Sequence, residues 1–297
     1  MKEGFIPNNL AEALSIRSVC RCTVFAGGTD LMVRYRSPAG LPAGITGPVL
    51  YIGHLPELGR IEKTPAADVS AAVVTGSVGA DSWLSIGSCV TLGEIAANPS
   101  VPAPLRESVR LMAGPGIRNT GTIGGNICNA SPAGDTLPFL YAVDAVLVLS
   151  SASGDRSLPI DTFIAGPGKT ILRPDEILTR ILIPSLTIEF HRYRKVGTRK
   201  ANALSKTSFM GLSLKGGDIR IAFGACAPRI VRNHDAEEYL MGMKTGNCHD
   251  ADRAVRMLYG PLLVPIDDQR STAAYRKETA LRLASAFIQE LCSGGKG

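Results

Sequence analysis

Two glycine-rich segments, far apart in the sequence, carry residue types that could hold a phosphate group. The first glycine segment, residues 24–31, reads in order Val24, Phe25, Ala26, Gly27, Gly28, Thr29, Asp30 and Leu31. Its apolar start predicts a short strand, the two glycines predict a tight turn, and Thr29 and Asp30 predict the start of a helix. Such a turn leaves backbone N–H groups without acceptors, and glycine lets an anion approach them closely.

The second glycine segment, residues 118–126, ends with Thr122, Ile123, Gly124, Gly125 and Asn126. It again offers small residues and amide donors without a carboxylate, so the two segments together predict a diphosphate held from both sides. One Gly-Gly pair is more often an ordinary β-turn, and the prediction therefore depends on there being two. Neither segment has the G-x-G-x-x-G or G-x-x-x-x-G-K-[ST] pattern, which disfavours a Rossmann domain and a P-loop enzyme.

Further motifs accompany the two glycine segments and cover nearly the whole chain. In order, they occupy residues 25–31, 117–129, 130–138, 166–170, 174–178, 221–224, 266–270 and 275–276. Together they resemble the FAD-binding subunit of molybdenum hydroxylases, a family that includes xanthine dehydrogenase, carbon monoxide dehydrogenase and nicotinate dehydrogenase. The motifs at 166–169 and 222–224 are most similar to the purine-oxidising branch.

This resemblance implies an α+β fold with two domains. Residues 1–184 would form a two-lobed FAD-binding domain of the vanillyl-alcohol-oxidase/PCMH type, with lobes at about 1–52 and 53–184. Residues 185–292 would form a CO dehydrogenase flavoprotein-type C-terminal domain, an antiparallel sheet with helices. The implied function is electron transfer, from a partner iron–sulfur subunit through non-covalent FAD to an acceptor such as NAD. A separate molybdopterin-containing large subunit would hydroxylate the substrate.

The resemblance also assigns cofactor-binding roles to individual residues. Both glycine segments would hold the FAD pyrophosphate, although Asp30 could equally well serve the helix start, where a carboxylate is favourable. Asp135 would contact the polar part of the cofactor, with a helix cap as its alternative role. Leu178 would pack along FAD, and Lys169 would lie near the adenine or a phosphate. Lys195 would lie near the flavin and raise its potential, with a solvent-facing strand position as its alternative.

Length and composition restrict the class of protein. The chain has 297 residues, of which 45% are hydrophobic, enough for a buried core and for two domains. No stretch approaches the roughly 18 apolar residues of a membrane span, and Met1–Phe5 lacks the layout of a signal peptide, so we expect a cytoplasmic protein. The net charge of +6 raises the question of nucleic-acid binding. Because the aromatic residues are too few for a stacking platform, that function is disfavoured.

Cysteine and histidine spacing gives no metal site. The seven cysteines are scattered, and the one close pair, Cys20 and Cys22, has neither a C-x-x-C nor a ferredoxin spacing. The histidines have no H-x-x-x-H spacing. Any iron–sulfur cluster in the electron path is therefore expected on another chain.

Hydrophobic patterns predict the elements that must position these residues. Leu10, Ala13 and Leu14 predict an N-terminal helix, and residues 145–149 predict a buried strand. Alternation predicts a strand at 190–196 and a β-hairpin at 212–221 with a Gly-Gly turn, and helical faces recur at 251–258 and 281–291. Strands grouped before helices favour the α+β class. Residues 64–82 are interpreted as a loop or hairpin excursion without chemistry.

Two other functions stay open at this stage. A stand-alone FAD oxidase of the same fold would need a substrate base, and no Ser/His/Asp, Cys/His or paired-carboxylate arrangement stands out. A non-catalytic nucleotide-binding scaffold would have lost the flavin, although both glycine segments, Asp135 and Lys195 are present.

Overall fold

A computed structural model of the protein describes residues 4–36, 44–45, 47–65, 69, 82–199, 202–244 and 250–293. Most of the excursion expected at 64–82 lies outside these residues. The elements in chain order are β1 (Gly4–Phe5), α1 (Leu10–Val19), β2 (Thr23–Phe25), α2 (Leu31–Arg34), β3 (Val49–Tyr51), β4 (Ile61–Pro65), β5 (Ser82–Gly87), α3 (Leu92–Ala97), α4 (Ala103–Arg110), α5 (Pro115–Arg118), α6 (Ile123–Cys128), α7 (Leu137–Ala142), β6 (Val146–Ser151), β7 (Gly154–Pro159), α8 (Ile160–Phe163), β8 (Ile164–Gly166), β9 (Lys169–Thr170), β10 (Ile177–Pro184), β11 (Ile188–Val196), β12 (Thr207–Leu214), β13 (Ile219–Gly224), β14 (Val231–Arg232), α9 (His234–Lys244), α10 (Ala251–Tyr259) and α11 (Ala273–Cys292).

The chain folds into two compact units that do not follow the sequence as two uninterrupted blocks. The first unit contains Met1–Asn98, Gly114–Ala130 and Ala145–Pro184. The second unit contains Pro99–Ala113, Ser131–Asp144 and Ser185–Gly297. Both glycine segments therefore belong to the first unit, whereas Asp135 and Lys195 belong to the second.

The N-terminal part of the first unit is a small parallel sheet covered by a helix. Its strand order is β1-β3-β2, with β3 in the centre. The helix α1 begins after Asn9, whose side chain accepts a hydrogen bond from the Glu12 N–H and satisfies a donor of the first turn. This is the helix that the apolar spacing at the N-terminus predicted, and its Ala13 packs with Leu50 of β3 in one buried cluster.

A five-stranded antiparallel sheet forms the rest of the first unit's framework. Its order is β4-β5-β10-β6-β7, and the buried strand predicted at 145–149 is β6. Gly154 opens β7 with a φ of +129°, a conformation that favours glycine, at the turn between β6 and β7. A separate hairpin pairs β8 with β9.

The second unit is an antiparallel sheet, β11-β12-β13-β14, packed against helices α9, α10 and α11. The predicted β12–β13 hairpin turns through Gly216 and Gly217, both at φ +100°. The long helix α11 buries Phe287 against β12 at Gly211, where a Cβ would lie 2.8 Å from the phenyl ring. Mixed helices and antiparallel sheets make this an α+β protein, and the predicted fold class is confirmed.

Candidate functional site

The first glycine segment forms the predicted strand, turn and helix. Strand β2 ends at Phe25, Gly28 has a φ of +67°, and α2 begins at Leu31. A Cβ at Gly28 would lie 2.4 Å from Cζ of Phe25, so both the backbone conformation and the space require glycine there.

The backbone N–H groups of this turn form a run without acceptors in the part of the chain that the structure describes. Those of Gly27, Gly28, Thr29 and Asp30 donate to no atom of the residues that the structure describes. Gly27, Gly28 and Thr29 are half-buried, so their amides are not uniformly open to water. Because a partly buried donor without an acceptor is costly, this run of four amides favours a bound anion.

The two glycine segments lie side by side within the first unit. A Cβ on Gly27 would lie 2.0 Å from the backbone oxygen of Thr120, and a Cβ on Gly121 would lie 3.1 Å from Oγ1 of Thr29. No side chain fits between the two backbones at Gly27. The sequence hypothesis of one diphosphate held by both segments requires this proximity.

The second glycine segment differs from its prediction in one respect: most of its amides already have acceptors. Ile123 N–H donates to Val90 O at 3.1 Å and Gly124 N–H to Ser88 O at 2.9 Å. The Gly125 N–H donates to Oγ1 of Thr122, which caps α6, and the Asn126 N–H donates to the backbone oxygen of Thr122. Among residues 122–126 only the Thr122 N–H lacks an acceptor within the described part of the chain.

Packing, rather than ligand approach, explains one glycine of this segment. A Cβ at Gly124 would lie 2.6 Å from Cβ of Ser88, whereas one at Gly125 would meet only Oγ1 of Thr122, at 2.9 Å. The second segment therefore offers a bare backbone surface and one donor rather than a run of free amides.

The carboxylate of Asp30 faces a cation on its own helix. Its Oδ2 lies 3.5 Å from a guanidinium nitrogen of Arg34, and the side chain is 58% exposed. Arg34 also donates to Oδ1 of Asn129 at 2.7 Å, which joins the residues that follow the two glycine segments. These contacts fit the role of Asp30 at a helix start better than direct contact with a phosphate.

Asp135 and Lys195 form a buried ion pair in the second unit. Nζ of Lys195 lies 2.6 Å from Oδ2 of Asp135 and 3.1 Å from the backbone oxygen of Leu111, and the two side chains are only 8% and 7% exposed. The Tyr193 hydroxyl, at 3.0 Å, and the Ser205 hydroxyl, at 2.6 Å, both donate to Oδ1 of Asp135.

This cluster excludes the alternative roles considered for both residues. Among the described residues, the Asp135 carboxylate accepts from Tyr193, Lys195 and Ser205 rather than from an N–H at the start of α7, whose cap residue is Thr136. Lys195 does not face solvent. Burial, together with the charge of Asp135, raises the pKa of Tyr193 well above its ordinary value, so the phenol stays a neutral donor. The Asp135 carboxylate offsets the Lys195 charge, which weakens any effect of this lysine on a flavin potential.

Leu178 and Lys169 lie on different elements of the first unit. Leu178 is buried in β10 opposite Leu149 of β6, so its side chain belongs to the sheet core. Lys169 is exposed at the start of β9.

Sequence reasoning missed the partners that hold these residues in place. Tyr193 and Ser205 were not singled out, although Tyr193 precedes Lys195 by two positions in a strand and so shares its face. Ser88 and Val90, the acceptors of the second segment, carry no local signal, since their role depends on tertiary contact.

Two observations concern functions that the described residues lack. No helix among them is long and apolar enough to cross a membrane. Nor do any three of their His, Cys, Asp or Glu side chains gather as a metal site. Of the described cysteines, Cys292 is disulfide-bonded, and the others are free thiols: Cys20, Cys22, Cys89, Cys128 and Cys226.

Comparison with known families decides the identity of the chain. Residues 2–186 match the model of the FAD binding domain in molybdopterin dehydrogenase, and residues 193–291 match that of the CO dehydrogenase flavoprotein C-terminal domain. The chain belongs to this flavoprotein family. It is an oxidoreductase component, and its cofactor is FAD.

Individual members of the family show how far the similarity extends. The glyceraldehyde dehydrogenase medium chain of Sulfolobus acidocaldarius is 30% identical over 214 residues, which cover 70% of this chain and 75% of that one. The putative xanthine dehydrogenase FAD-binding subunit XdhB of Escherichia coli K12 is 35% identical over 168 residues, 53% of this chain and 57% of the relative. The reconstituted CO dehydrogenase from Oligotropha carboxidovorans contains a chain with the same fold, with a TM-score of 0.81, 22% identity and coverage of 99% and 98%.

Proposed function

We propose that this chain is the FAD-carrying electron-transfer subunit of a molybdenum hydroxylase of the xanthine dehydrogenase type. It would receive electrons from a partner iron–sulfur subunit and deliver them to an acceptor such as NAD. A molybdopterin-containing large subunit would hold the substrate. The observation that carries the proposal is the run of four amides, Gly27 to Asp30, that have no acceptor among the described residues and lie beside the bare backbone of the second glycine segment.

The charge and the hydrogen-bonding groups of these residues suit the diphosphate of a dinucleotide. A diphosphate carries two negative charges at neutral pH in its ester form, and four successive N–H donors can replace the hydration that it loses. Glycine at positions 27 and 121 lets the two segments pack backbone against backbone, and glycine at 28 allows the positive φ that the turn requires. The Asp30 carboxylate pairs with Arg34, which reduces its repulsion of the diphosphate.

The proposed cofactor-binding residues are those that the sequence indicated. In the first unit they are Val24, Phe25, Ala26, Gly27, Gly28, Thr29, Asp30, Leu31, Thr122, Ile123, Gly124, Gly125, Asn126, Lys169 and Leu178, and in the second unit Asp135 and Lys195. Asp30, Gly124 and Leu178 would act through local structure and packing. The domain division at 184/185 is part of the same proposal.

The residues of this chain bind and orient rather than react. FAD, when bound, supplies the redox chemistry. Asp135 holds the Lys195 ammonium at a fixed position, and because Leu111 O and Asp135 take two of its N–H groups, the third can donate to a ligand. Backbone amides stabilise the diphosphate without a proton transfer, so binding through them depends little on pH.

Affinity purification of the tagged chain from its own cells tests the proposal. We expect an iron–sulfur chain and a molybdopterin-containing chain to elute with it. The eluted complex should show the absorption band of oxidised flavin, and acid denaturation should release this flavin from the protein. Reducing this complex with dithionite and adding NAD should then produce NADH. Colourless protein that cannot be reconstituted with FAD would indicate a scaffold, and oxidase activity of the isolated chain would contradict the subunit role. A complex that reduces other acceptors but not NAD would contradict only the assignment of NAD as the acceptor, and the subunit role would stand.

A further inference from the structure

A pocket in the first unit, away from the glycine turn, is lined by three arginines. Its volume is about 460 Å³, and Arg17, Arg21 and Arg173 line it together with the hydroxyl-bearing residues Thr23 and Thr170. None of the described residues that line it is acidic. The pocket size is within the usual range for small-molecule sites.

The three guanidinium groups are held differently. Arg17 is fixed, because it donates to the backbone oxygens of Cys22 and Glu176. Arg21 is exposed and makes no hydrogen bond or ion pair with any described residue. The Arg173 side chain is 66% exposed, and its Nε lies 3.9 Å from Oε1 of Glu176. One anchored and two adaptable cations can therefore face the same pocket.

The neighbouring carboxylate does not neutralise this charge. Glu176 is buried and receives a two-point hydrogen bond from Arg156, at 2.5 and 2.9 Å, as well as the Arg173 N–H at 2.8 Å. Burial alone would raise its pKa, but these hydrogen bonds and the Arg156 and Arg173 charges outweigh it, so the pKa of Glu176 is lowered. Because Arg156 matches the negative charge of Glu176, the pocket arginines keep an excess of positive charge.

The pocket is separate from the turn proposed to hold the FAD diphosphate. Thr23, which lines the pocket, is the first residue of β2, whereas the glycine turn follows Phe25 at the other end of that strand. An anion in the pocket and the diphosphate at Gly27 would thus occupy opposite ends of one strand.

We propose that this pocket is a second anion site, which binds a small molecule through a phosphate or diphosphate group. Guanidinium groups match phosphate oxygens with paired N–H donors, and threonine hydroxyls can supply further hydrogen bonds. Three cations around one cavity favour a ligand with at least two negative charges.

Calorimetric titration of the FAD-loaded protein with inorganic pyrophosphate tests this site. We expect saturable binding, and we expect R21Q and R173Q each to raise the Kd roughly tenfold, as for the loss of one charged hydrogen-bonding group. The matched control is R60Q, which removes the same charge from an arginine of the same unit that is 62% exposed and lies outside the pocket. R60Q should change the Kd less than about twofold.

Three results would overturn the proposal: no pyrophosphate binding, equal weakening by R60Q and R21Q, or displacement of pyrophosphate by FAD in the apoprotein. The flavin content of R21Q and R173Q should equal that of the wild type, because neither arginine belongs to the glycine segments. Flavin content therefore distinguishes the two sites. A wild-type protein that binds no flavin would contradict the proposed FAD site, whereas only the pyrophosphate titration tests the second site.

Discussion

Replacing Gly27 by alanine should weaken FAD binding more than any other single-methyl change in the glycine segments. The new Cβ would lie 2.0 Å from Thr120 O and 2.8 Å from the Thr120 carbonyl carbon, so the two segments must separate by about 1 Å. Hydrogen bonds tolerate only about 0.5 Å of variation in length, so a shift of this size removes at least one amide–phosphate bond. That loss costs about 1.5–3 kcal/mol, roughly a 10- to 150-fold weaker affinity for FAD.

Flavin fluorescence titration of the apoprotein measures this effect. G116A is the matched control, because Gly116 lies in α5 of the same unit and a Cβ there would meet nothing within 4 Å. We expect G116A to bind FAD like the wild type and to be slightly more stable, since alanine favours the helix. Thermal unfolding of both apoproteins separates binding from folding, as overpacking alone destabilises by about 1–3 kcal/mol. The reasoning is refuted if G27A binds FAD as tightly as G116A.

Three further changes follow from the contacts of single residues. In urea denaturation, K195Q should lose about 3–5 kcal/mol, because it leaves Asp135 buried without its cation, and D135N/K195Q should lose less; equal losses would contradict the ion pair. Because the pKa of Glu176 is lowered in the folded protein, its carboxylate stabilises the fold fully above about pH 4.5. This stabilisation is lost as the pH falls below that value. Stability of E176Q should therefore fall less steeply on acidification than that of the wild type, and parallel curves would show that this carboxylate contributes nothing. T122V removes the α6 cap and should lower stability by about 1 kcal/mol in thermal unfolding, whereas T122S should not.

Local patterns in the sequence were sufficient to predict many elements. The helix after Asn9, the buried strand β6 and the Gly216–Gly217 hairpin each depend on residues within one short stretch. The strand–turn–helix at Gly27 and Gly28 also follows from local preference, because Gly28 takes a positive φ that favours glycine. The sequence therefore predicted the turn, whereas the contact between the Gly27 and Thr120 backbones is seen only in the structure.

Contacts between distant residues could not be derived in this way. The amides of the second glycine segment looked free in the sequence, but Ser88 and Val90 accept from two of them, and nothing near either residue signals that contact. The Asp135–Lys195 pair likewise joins residues on α7's N-terminal side and β11, and only the fold brings them within 2.6 Å.

The division into compact units shows the same limit. Residues 99–113 and 131–144 join the second unit, although their neighbours in sequence belong to the first. Helices α4 and α7 lie in these stretches, and α7 packs against β12 and β13. Composition along the chain cannot show that these two stretches belong to the second unit, because their place is determined by long-range packing.

The structure of the protein with FAD bound, solved by crystallography or electron microscopy, tests the central claim most directly. The account predicts pyrophosphate oxygens within about 2.7–3.2 Å of the backbone nitrogens in the turn from Gly27 to Asp30. Density that places the diphosphate elsewhere, with these four amides facing only water, would contradict it.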